Sequence, residues 1–202
     1  MDPHPGAIGI LSRGVLRIPH LETLIGRPVV PCRPGRAPPG EVTAIVGWGL
    51  KPTARRARAY ALRHGLPYLA LEDGFLRSVG LGHRDPPLAL VQDDLGIYYD
   101  ATRSSRLETL IRERPLDATT RERARRCRMR IVQAGLSKYN QSPDTNLETL
   151  LGGDRRRRIL VVDQTAGDAS IRHGLAGPET FTSMLRAAVL EHPDARILVK
   201  TH

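Results

Sequence analysis

Four groups of polar residues in this chain have the types and spacing to carry chemistry: Trp48, the triplet Glu72-Asp73-Gly74, the pair Asp163 and Asp168, and the string Lys200-Thr201-His202. Each follows directly on a short apolar run that reads as a strand. In open α/β sheets ligands bind beyond the carboxyl ends of the strands, where the loops diverge and helix N-termini point at the ligand. Carboxylates placed there can activate a hydroxyl or stabilise an oxocarbenium-like centre, and a Lys with a His can stabilise a departing phosphate. Transfer of a glycosyl group from a nucleotide needs that division of labour. Each cluster also has a plainer reading on its own: Asp-Gly is a common solvated turn, Asp163 can cap the turn that follows it, and a Lys-Thr-His string can be ordinary surface.

Hydrophobic periodicity gives the elements that must position these groups. Residues 7–11 predict a strand, and a short helix from Pro19 carries Leu21, Leu24 and Ile25 at helical spacing before Gly26 stops it. The five prolines between 28 and 40 predict an irregular connector. A second strand spans 42–47, and a helix from about Thr53 to Gly65 has Ala54, Ala57 and Ala61 on one face. A third strand at 67–71 delivers Glu72, Asp73 and Gly74, and two more are predicted at 88–91 and 96–99. Ser105 with Glu108, and Thr119 with Glu122, read as capping boxes of two helices. The first should turn Leu107, Leu110 and Ile111 inward, and the second sets Ala124, Cys127, Ile131 and Ala134 as a stripe among Arg121, Arg123, Arg125, Arg126, Arg128 and Arg130.

Further on, apolar runs at 159–163 and 197–200 flank a helix starting near Pro178, with Phe181, Met184, Leu185 and Ala188 on one face. Such a βαβ unit implies parallel strands. The fold class is therefore α/β, with a Rossmann-like lobe over 1–145, a linker at 146–157 and the beginning of a second parallel lobe over 158–202.

Composition narrows the partners. The formal charge is +10, and of 31 basic residues only Lys51, Lys138 and Lys200 are lysines. A positive field of this size suits nucleic acid, anionic lipid or an acidic small substrate, and arginine excess also arises from codon bias. The Arg-rich helix lacks an aromatic stacking platform beside it, which argues against nucleic acid and leaves anionic headgroups as the better match. No run approaches the roughly 20 apolar residues of a membrane span, and the first residues lack signal-peptide character, so a cytoplasmic location is expected. Cys32 and Cys127 lie in unrelated contexts and are expected as free thiols, with no metal site.

Several strings carry a family resemblance: Gly-Trp-Gly-Leu-Lys-Pro at 47–52, Leu-Glu-Asp-Gly-Phe-Leu-Arg-Ser at 71–78, and Pro-Pro-Leu-Ala-Leu-Val at 86–91. Asp-Asp-Leu-Gly-Ile-Tyr-Tyr-Asp-Ala at 93–101, Leu-Ser-Lys-Tyr-Asn at 136–140, and Val-Val-Asp-Gln-Thr-Ala-Gly-Asp-Ala-Ser-Ile at 161–171 extend it over nearly the whole chain. The sequence resembles the capsule polysaccharide β-Kdo transferases. That resemblance implies a GT-B architecture, CMP-Kdo as donor with no further cofactor, retention of the anomeric configuration, and a lipid-linked acceptor of phosphatidylglycerol type, with peripheral contact at the inner membrane. It makes Glu72 or Asp73 the acid/base candidate, and Lys200 with His202 the grip on the CMP phosphate. Asp163 and Asp168 become candidates near the anomeric carbon, with Asp168, deeper in the loop, favoured. Ser137 and Lys138, with Gln164 and Thr165, fall on the donor side, although packing between lobes accounts for 137–139 equally well. Trp48 and Arg77 fall on the acceptor side. Family members continue past the position of His202, so the chain reads as a fragment expected to be inactive alone. The alternative is a noncatalytic sugar-nucleotide or glycolipid binding module.

Overall fold

β1 (Ala7–Ile10) is apolar and buried at every position, as a strand covered on both faces must be. It belongs to a computed structural model that describes residues 6–80, 82, 84–141, 143 and 145–201. The chain forms two compact units, one of Met1–Tyr98 with Arg103–Ser142 and one of Tyr99–Thr102 with Pro143–His202.

In the first unit, Ser12 accepts a hydrogen bond from the Val15 N–H and starts the single turn α1 (Arg13–Leu16). α2 (Leu21–Ile25) ends where Gly26 adopts φ 75°, a left-handed stop open to glycine. The proline-rich connector is not wholly irregular. It contributes β2 (Val29–Pro31), which pairs in parallel with β1 at the sheet edge. Proline is tolerated there because an edge strand leaves N–H positions that no neighbour needs.

β3 (Val42–Trp48) and β4 (Tyr68–Asp73) continue the parallel sheet, joined by α3 (Pro52–Arg63), whose Ala54, Ala57, Tyr60 and Ala61 are buried. β5 (Leu90–Asp93) runs antiparallel to β4 and completes the order β2-β1-β3-β4-β5. Ile8, Ile10, Val46 and Leu71 fill one side of this sheet, and Ile45, Ala57 and Tyr60 the other.

Residues 96–99 do not form the predicted strand. The buried Asp93 carboxylate accepts from the N–H groups of Leu95 and Gly96, which bends the chain out of the sheet and seats Ile97 in the interior. The other Asp93 oxygen accepts from the Arg106 N–H at 2.9 Å and anchors α4 (Arg106–Glu113). Ser105 caps α4 through the Glu108 N–H as expected, but Leu110 and Ile111 are exposed, Ile111 at 76%. Polar bonds at its N-terminus, rather than an apolar stripe, hold this helix to the unit.

α5 (Ala118–Gln133) starts earlier than Thr119: Asp117 is its cap, accepting from the Thr120 N–H at 2.6 Å. Asp is as good a cap as Thr, and the earlier start lengthens the helix. No α5 residue is buried: of the predicted stripe, Ala124, Cys127 and Ala134 are exposed and Ile131 is half-buried, so the stripe is not a core face.

The second unit holds α6 (Leu147–Leu151), β6 (Arg158–Val162), α7 (Ala169–His173), α8 (Pro178–Glu191) and β7 (Arg196–Lys200), with β6 and β7 parallel. Of the predicted inner face of α8, Ala188 is buried while Met184 and Leu185 are exposed. A sheet of two strands is too narrow to cover them.

Candidate functional site

Trp48 and Glu72 come together because β3 and β4 are adjacent and parallel, in a register that pairs Trp48 with Leu71. The indole Nε1–H donates to Glu72 Oε1 at 3.0 Å, and the Asp73 N–H donates to the same oxygen at 3.1 Å. Among the described residues nothing donates to Glu72 Oε2. Glu72 and Asp73 are the last residues of β4, paired with Val91 and Leu90 on β5, and strand alternation sends their side chains to opposite faces. Gly74 lets β5 approach, since a Cβ there would lie 2.6 Å from Ala89 Cβ.

Asp73 is committed to Arg77. The Arg77 Nε–H donates to Asp73 Oδ1 at 2.6 Å, and Nη1 donates to Ser78 Oγ and to the Asp85 carbonyl at 2.8 and 2.9 Å. Nη2 reaches the Gly82 carbonyl at 3.4 Å, and a Cβ at Gly82 would stand 3.0 Å from the guanidinium carbon. Arg77 is only 6% exposed, so this guanidinium is a fixed post that holds the loop after β4. Asp85 closes the same loop by accepting from the Gly80 N–H at 2.5 Å.

Residues 137–140 belong to the same constellation within this unit. The Lys138 carbonyl accepts from the N–H groups of Arg77 and Ser78, and Asn140 donates its side-chain amide to the Ser78 carbonyl. The Ser137 hydroxyl donates to the Tyr139 carbonyl at 2.5 Å, and Lys138 Nζ lies 5.6 Å from the Tyr139 ring centre. The string Leu-Ser-Lys-Tyr-Asn is thus a clasp on the loop that begins at Arg77.

Beside these residues opens a cleft of about 370 Å³. It is lined by Arg17, Ile18 and Pro19, by Trp48, and by Arg77, Arg84 and Asp85 with Pro86 and Pro87. Lys51 Nζ stands 5.9 Å from the Trp48 ring. Nearby, burial pushes the Tyr68 phenol above its ordinary range, and its hydroxyl donates to the Gly49 carbonyl at 3.3 Å, fixing the turn after Trp48.

In the second unit, the Asp163 N–H donates to the Lys200 carbonyl at 2.9 Å, which places both residues at the carboxyl end of the parallel pair. Asp163 Oδ1 accepts from the Gln164 N–H at 2.7 Å, and Gln164 Oε1 accepts from the Thr165 N–H at 3.3 Å. The loop closes with the Asp168 N–H donating to the Thr165 carbonyl at 3.0 Å. Asp168 caps α7, its Oδ1 accepting from the Ser170 N–H at 2.8 Å. Asp163 is half-buried, whereas Gln164, Thr165, Asp168 and Lys200 are exposed. His202 lies outside the described residues. Among the described residues no three His, Cys, Asp or Glu side chains gather as a metal site, and no helix is long and apolar enough to cross a membrane. Cys32 is buried and Cys127 exposed, both as free thiols.

Residues 43–202 match the family described as capsule polysaccharide biosynthesis protein. The chain belongs to that family. It is 46% identical over 196 residues to the capsule polysaccharide modification protein LipA of Neisseria meningitidis serogroup B, a match over 96% of this chain and 27% of LipA. Among solved structures it resembles the β-Kdo 2,4 transferase KpsC of Thermosulfurimonas dismutans at TM-score 0.87 and 45% identity, over 98% of this chain and 61% of that one. The β-Kdo 2,7 transferase KpsC of the same organism superposes at TM-score 0.63 and 25% identity, with the same coverage. The chain thus spans about a quarter of the curated relative and under two thirds of the solved ones. Its α/β architecture, with a mostly parallel sheet, is the GT-B-like one of KpsC.

The capsule family match includes Trp48, Glu72, Asp73, Arg77, the clasp at 137–140 and the Asp163 loop, but it begins after Arg17. Arg17, Arg84 and Asp85 are the cleft residues that sequence reasoning missed. The only signal in the sequence was position: Arg17 follows the first strand, and Arg84-Asp85 directly precedes the family string at 86–91.

Proposed function

We propose that this chain forms part of a β-Kdo transferase that takes Kdo from CMP-Kdo, with retention, and passes it to a lipid-linked acceptor of capsule assembly on the cytoplasmic face of the inner membrane. The observation that carries the reading is its likeness to the β-Kdo 2,4 transferase KpsC, far higher than to the 2,7 enzyme in both TM-score and identity. We therefore assign 2,4 linkage chemistry. The six arginines of α5, all exposed, suit contact with anionic lipid headgroups.

Glu72 is the acid/base group for the acceptor hydroxyl. Two N–H groups fix its Oε1 while Oε2 stays available, whereas Asp73 is spent on Arg77. Of the two loop carboxylates, Asp163 takes the role at the anomeric carbon in preference to Asp168. Its backbone is tied into the β6–β7 ladder, and a reacting group needs such a fixed base, while Asp168 already serves as a helix cap. The Asp163 carboxylate displaces CMP to give a glycosyl ester, and the acceptor oxygen, losing its proton to Glu72, displaces the carboxylate; two inversions give retention. Lys200 and His202 hold the leaving phosphate, with Gln164 and Thr165 beside the donor. Ser137 and Lys138 act on the donor side only through the clasp that fixes Arg77, and Trp48 and Arg77 shape the acceptor side.

The test is turnover of CMP-Kdo by the full-length protein carrying this sequence, with a Kdo glycoside as acceptor and the linkage read by NMR. A β-2,4 product is expected, with Glu72→Gln and Asp163→Asn each lowering kcat by about 10² or more. A protein that turns over no CMP-Kdo refutes the reading, and an unimpaired Asp163→Asn enzyme removes that residue from it.

A further inference from the structure

Asp93 does more than turn the chain out of the sheet, because its two oxygens tie both ends of the loop 94–105 together. Oδ1 accepts from the Leu95 and Gly96 N–H groups on the outgoing side at 2.9 and 2.8 Å, and Oδ2 from the Arg106 N–H on the returning side at 2.9 Å. The Arg106 guanidinium adds two bonds to the Asp94 carboxylate, both at 2.7 Å. The two sides run so close that a Cβ at Gly96 would stand 2.8 Å from the Ser104 carbonyl oxygen. A loop whose ends are clasped in this way is an element of structure rather than a slack connection.

Its tip belongs elsewhere. The chain leaves the first unit after Tyr98, spends Tyr99–Thr102 in the second and returns at Arg103. The Tyr98 ring packs on Phe75 with centroids 5.3 Å apart, whereas the next ring, Tyr99, packs on His173 at 6.4 Å. Asp100 is 7% exposed, and its Oδ1 accepts from the Thr102 N–H and hydroxyl at 3.1 and 2.6 Å, which sets the shape of the tip. The Ala101 N–H donates to the His173 carbonyl at 2.9 Å. His173 is the last residue of α7, where carbonyls lack partners within the helix.

These contacts matter to α7 because it has little else. Five residues are too few for a helix to stand on its own hydrogen bonds, and none of the five is buried. Its placement therefore depends on its ends: the Asp168 cap at the start, and Tyr99 and Ala101 at His173. The loop that carries Asp163 runs from β6 to that cap, so its far end is only as fixed as α7 is. We infer that residues 94–105 are an arm rooted in the first unit whose tip, Tyr99–Thr102, fixes α7 and so positions the loop 163–168. Where the reaction is concerned, this rests on the transferase reading: Tyr99 and Ala101 are positioning residues that act on the loop carboxylates through α7.

Amide hydrogen exchange is followed by mass spectrometry on the full-length protein carrying this sequence, as the parent and as Tyr99→Ala, Ala101→Pro and Tyr99→Phe. Tyr99→Ala removes the ring from His173, and Ala101→Pro removes the N–H that its carbonyl accepts. Each should speed exchange over 164–176 by about two- to tenfold, the range that loss of one aromatic pair or one hydrogen bond gives, while β1 and β3 keep the parent's rates. Tyr99→Phe keeps the ring and should exchange like the parent. Turnover of CMP-Kdo gives the second readout: the two disruptive variants should lower kcat by about tenfold or more with KM for the acceptor unchanged, and Tyr99→Phe should keep the parent's kcat. The parent's exchange rates over 164–176 in either disruptive variant overturn the arm. Faster exchange spread over the sheets of both units overturns it too, since that is a lost fold and not a loosened loop. An unchanged kcat in variants whose loop exchanges faster overturns the positioning role. A parent that turns over no CMP-Kdo sinks the transferase reading alone, because the exchange comparison still decides whether the tip holds α7 and its loop.

Discussion

Arg77→Ala should destabilise the first unit more than its single side chain suggests. The wild-type guanidinium is almost wholly buried and donates to a carboxylate, a hydroxyl and two carbonyls. Removing it leaves Asp73, whose side chain is 18% exposed, as a charge without its cation. Breaking a buried pair from one side costs about 3–5 kcal/mol, and the partial exposure of Asp73 argues for the lower end, about 3 kcal/mol. With a urea slope of about 2 kcal/mol per molar, the midpoint should fall by about 1.5 M. The assay is urea unfolding followed at Trp48, which sits in the same unit. A double-mutant cycle isolates the ion pair: Arg77→Ala with Asp73→Ala should cost clearly less than the sum of the two single changes, because the double variant no longer strands a carboxylate. A loss below about 1 kcal/mol for Arg77→Ala, or strict additivity in the cycle, would refute the claim that this guanidinium holds the rim together.

Two further outcomes follow from the second unit and the thiols. The Asp154 carboxyl should titrate at about 2, against an ordinary 3.8, because the Arg156 side chain donates to it, with a smaller contribution from the Arg156 N–H. Its folded value is depressed, so the stabilisation is present above the ordinary carboxyl range and is lost as pH falls from about 4 towards 2; a side-chain NMR titration checks this, and Arg156→Ala should move the midpoint up towards the normal range. A thiol reagent should label Cys127 rapidly in the native chain and spare Cys32, which is buried and whose thiol burial holds above its usual range. Mass spectrometry should count one adduct natively and two in denaturant, and prompt labelling of Cys32 would contradict the core around Tyr60.

Strong periodicity and strand-end position made much of this legible. The aliphatic runs of β1 and β3 read correctly because burial on both faces leaves no other composition available, and the alanine face of α3 because close packing on the sheet admits only small side chains there. The triplet Glu72-Asp73-Gly74 was visible as a rim cluster, but its division of labour was not. The role of Asp73 depends on Arg77, and that of Glu72 on the indole of a neighbouring strand, which sequence spacing does not encode. β2 was hidden because its pairing uses the edge of β1 and tolerates proline. The failed strand at 96–99 is the opposite case: apolar and aromatic residues gave the pattern, and a buried aspartate three residues before it, Asp93, redirected the backbone. Arg17 and Arg84 were illegible as a pair, being 67 positions apart in a chain rich in arginine. They line one cleft only in the folded unit.

The two units position their candidate residues by different means, and the difference sets what mutation will report. In the first, Ile8, Ile10, Ile45, Val46 and Leu71 are fully or almost fully buried, so Trp48 and Glu72 stand on strands locked by packing on both sides. In the second, Val161 and Ala188 are the buried apolar residues among those described, while Leu160, Val162, Val199 and Leu190 are exposed. Two strands without further neighbours are marginal as an independent sheet. Asp163 and Lys200 are therefore held chiefly by the backbone ladder between β6 and β7 and by the turn bonds of the loop, not by side-chain packing. A substitution at Asp163 removes one carboxylate from a loop whose course is set by N–H and carbonyl groups, and should alter chemistry while leaving stability nearly unchanged. A substitution at Arg77 or Trp48 removes a member of a packed and hydrogen-bonded rim, so lost activity there must be separated from lost fold before a role in the reaction is assigned.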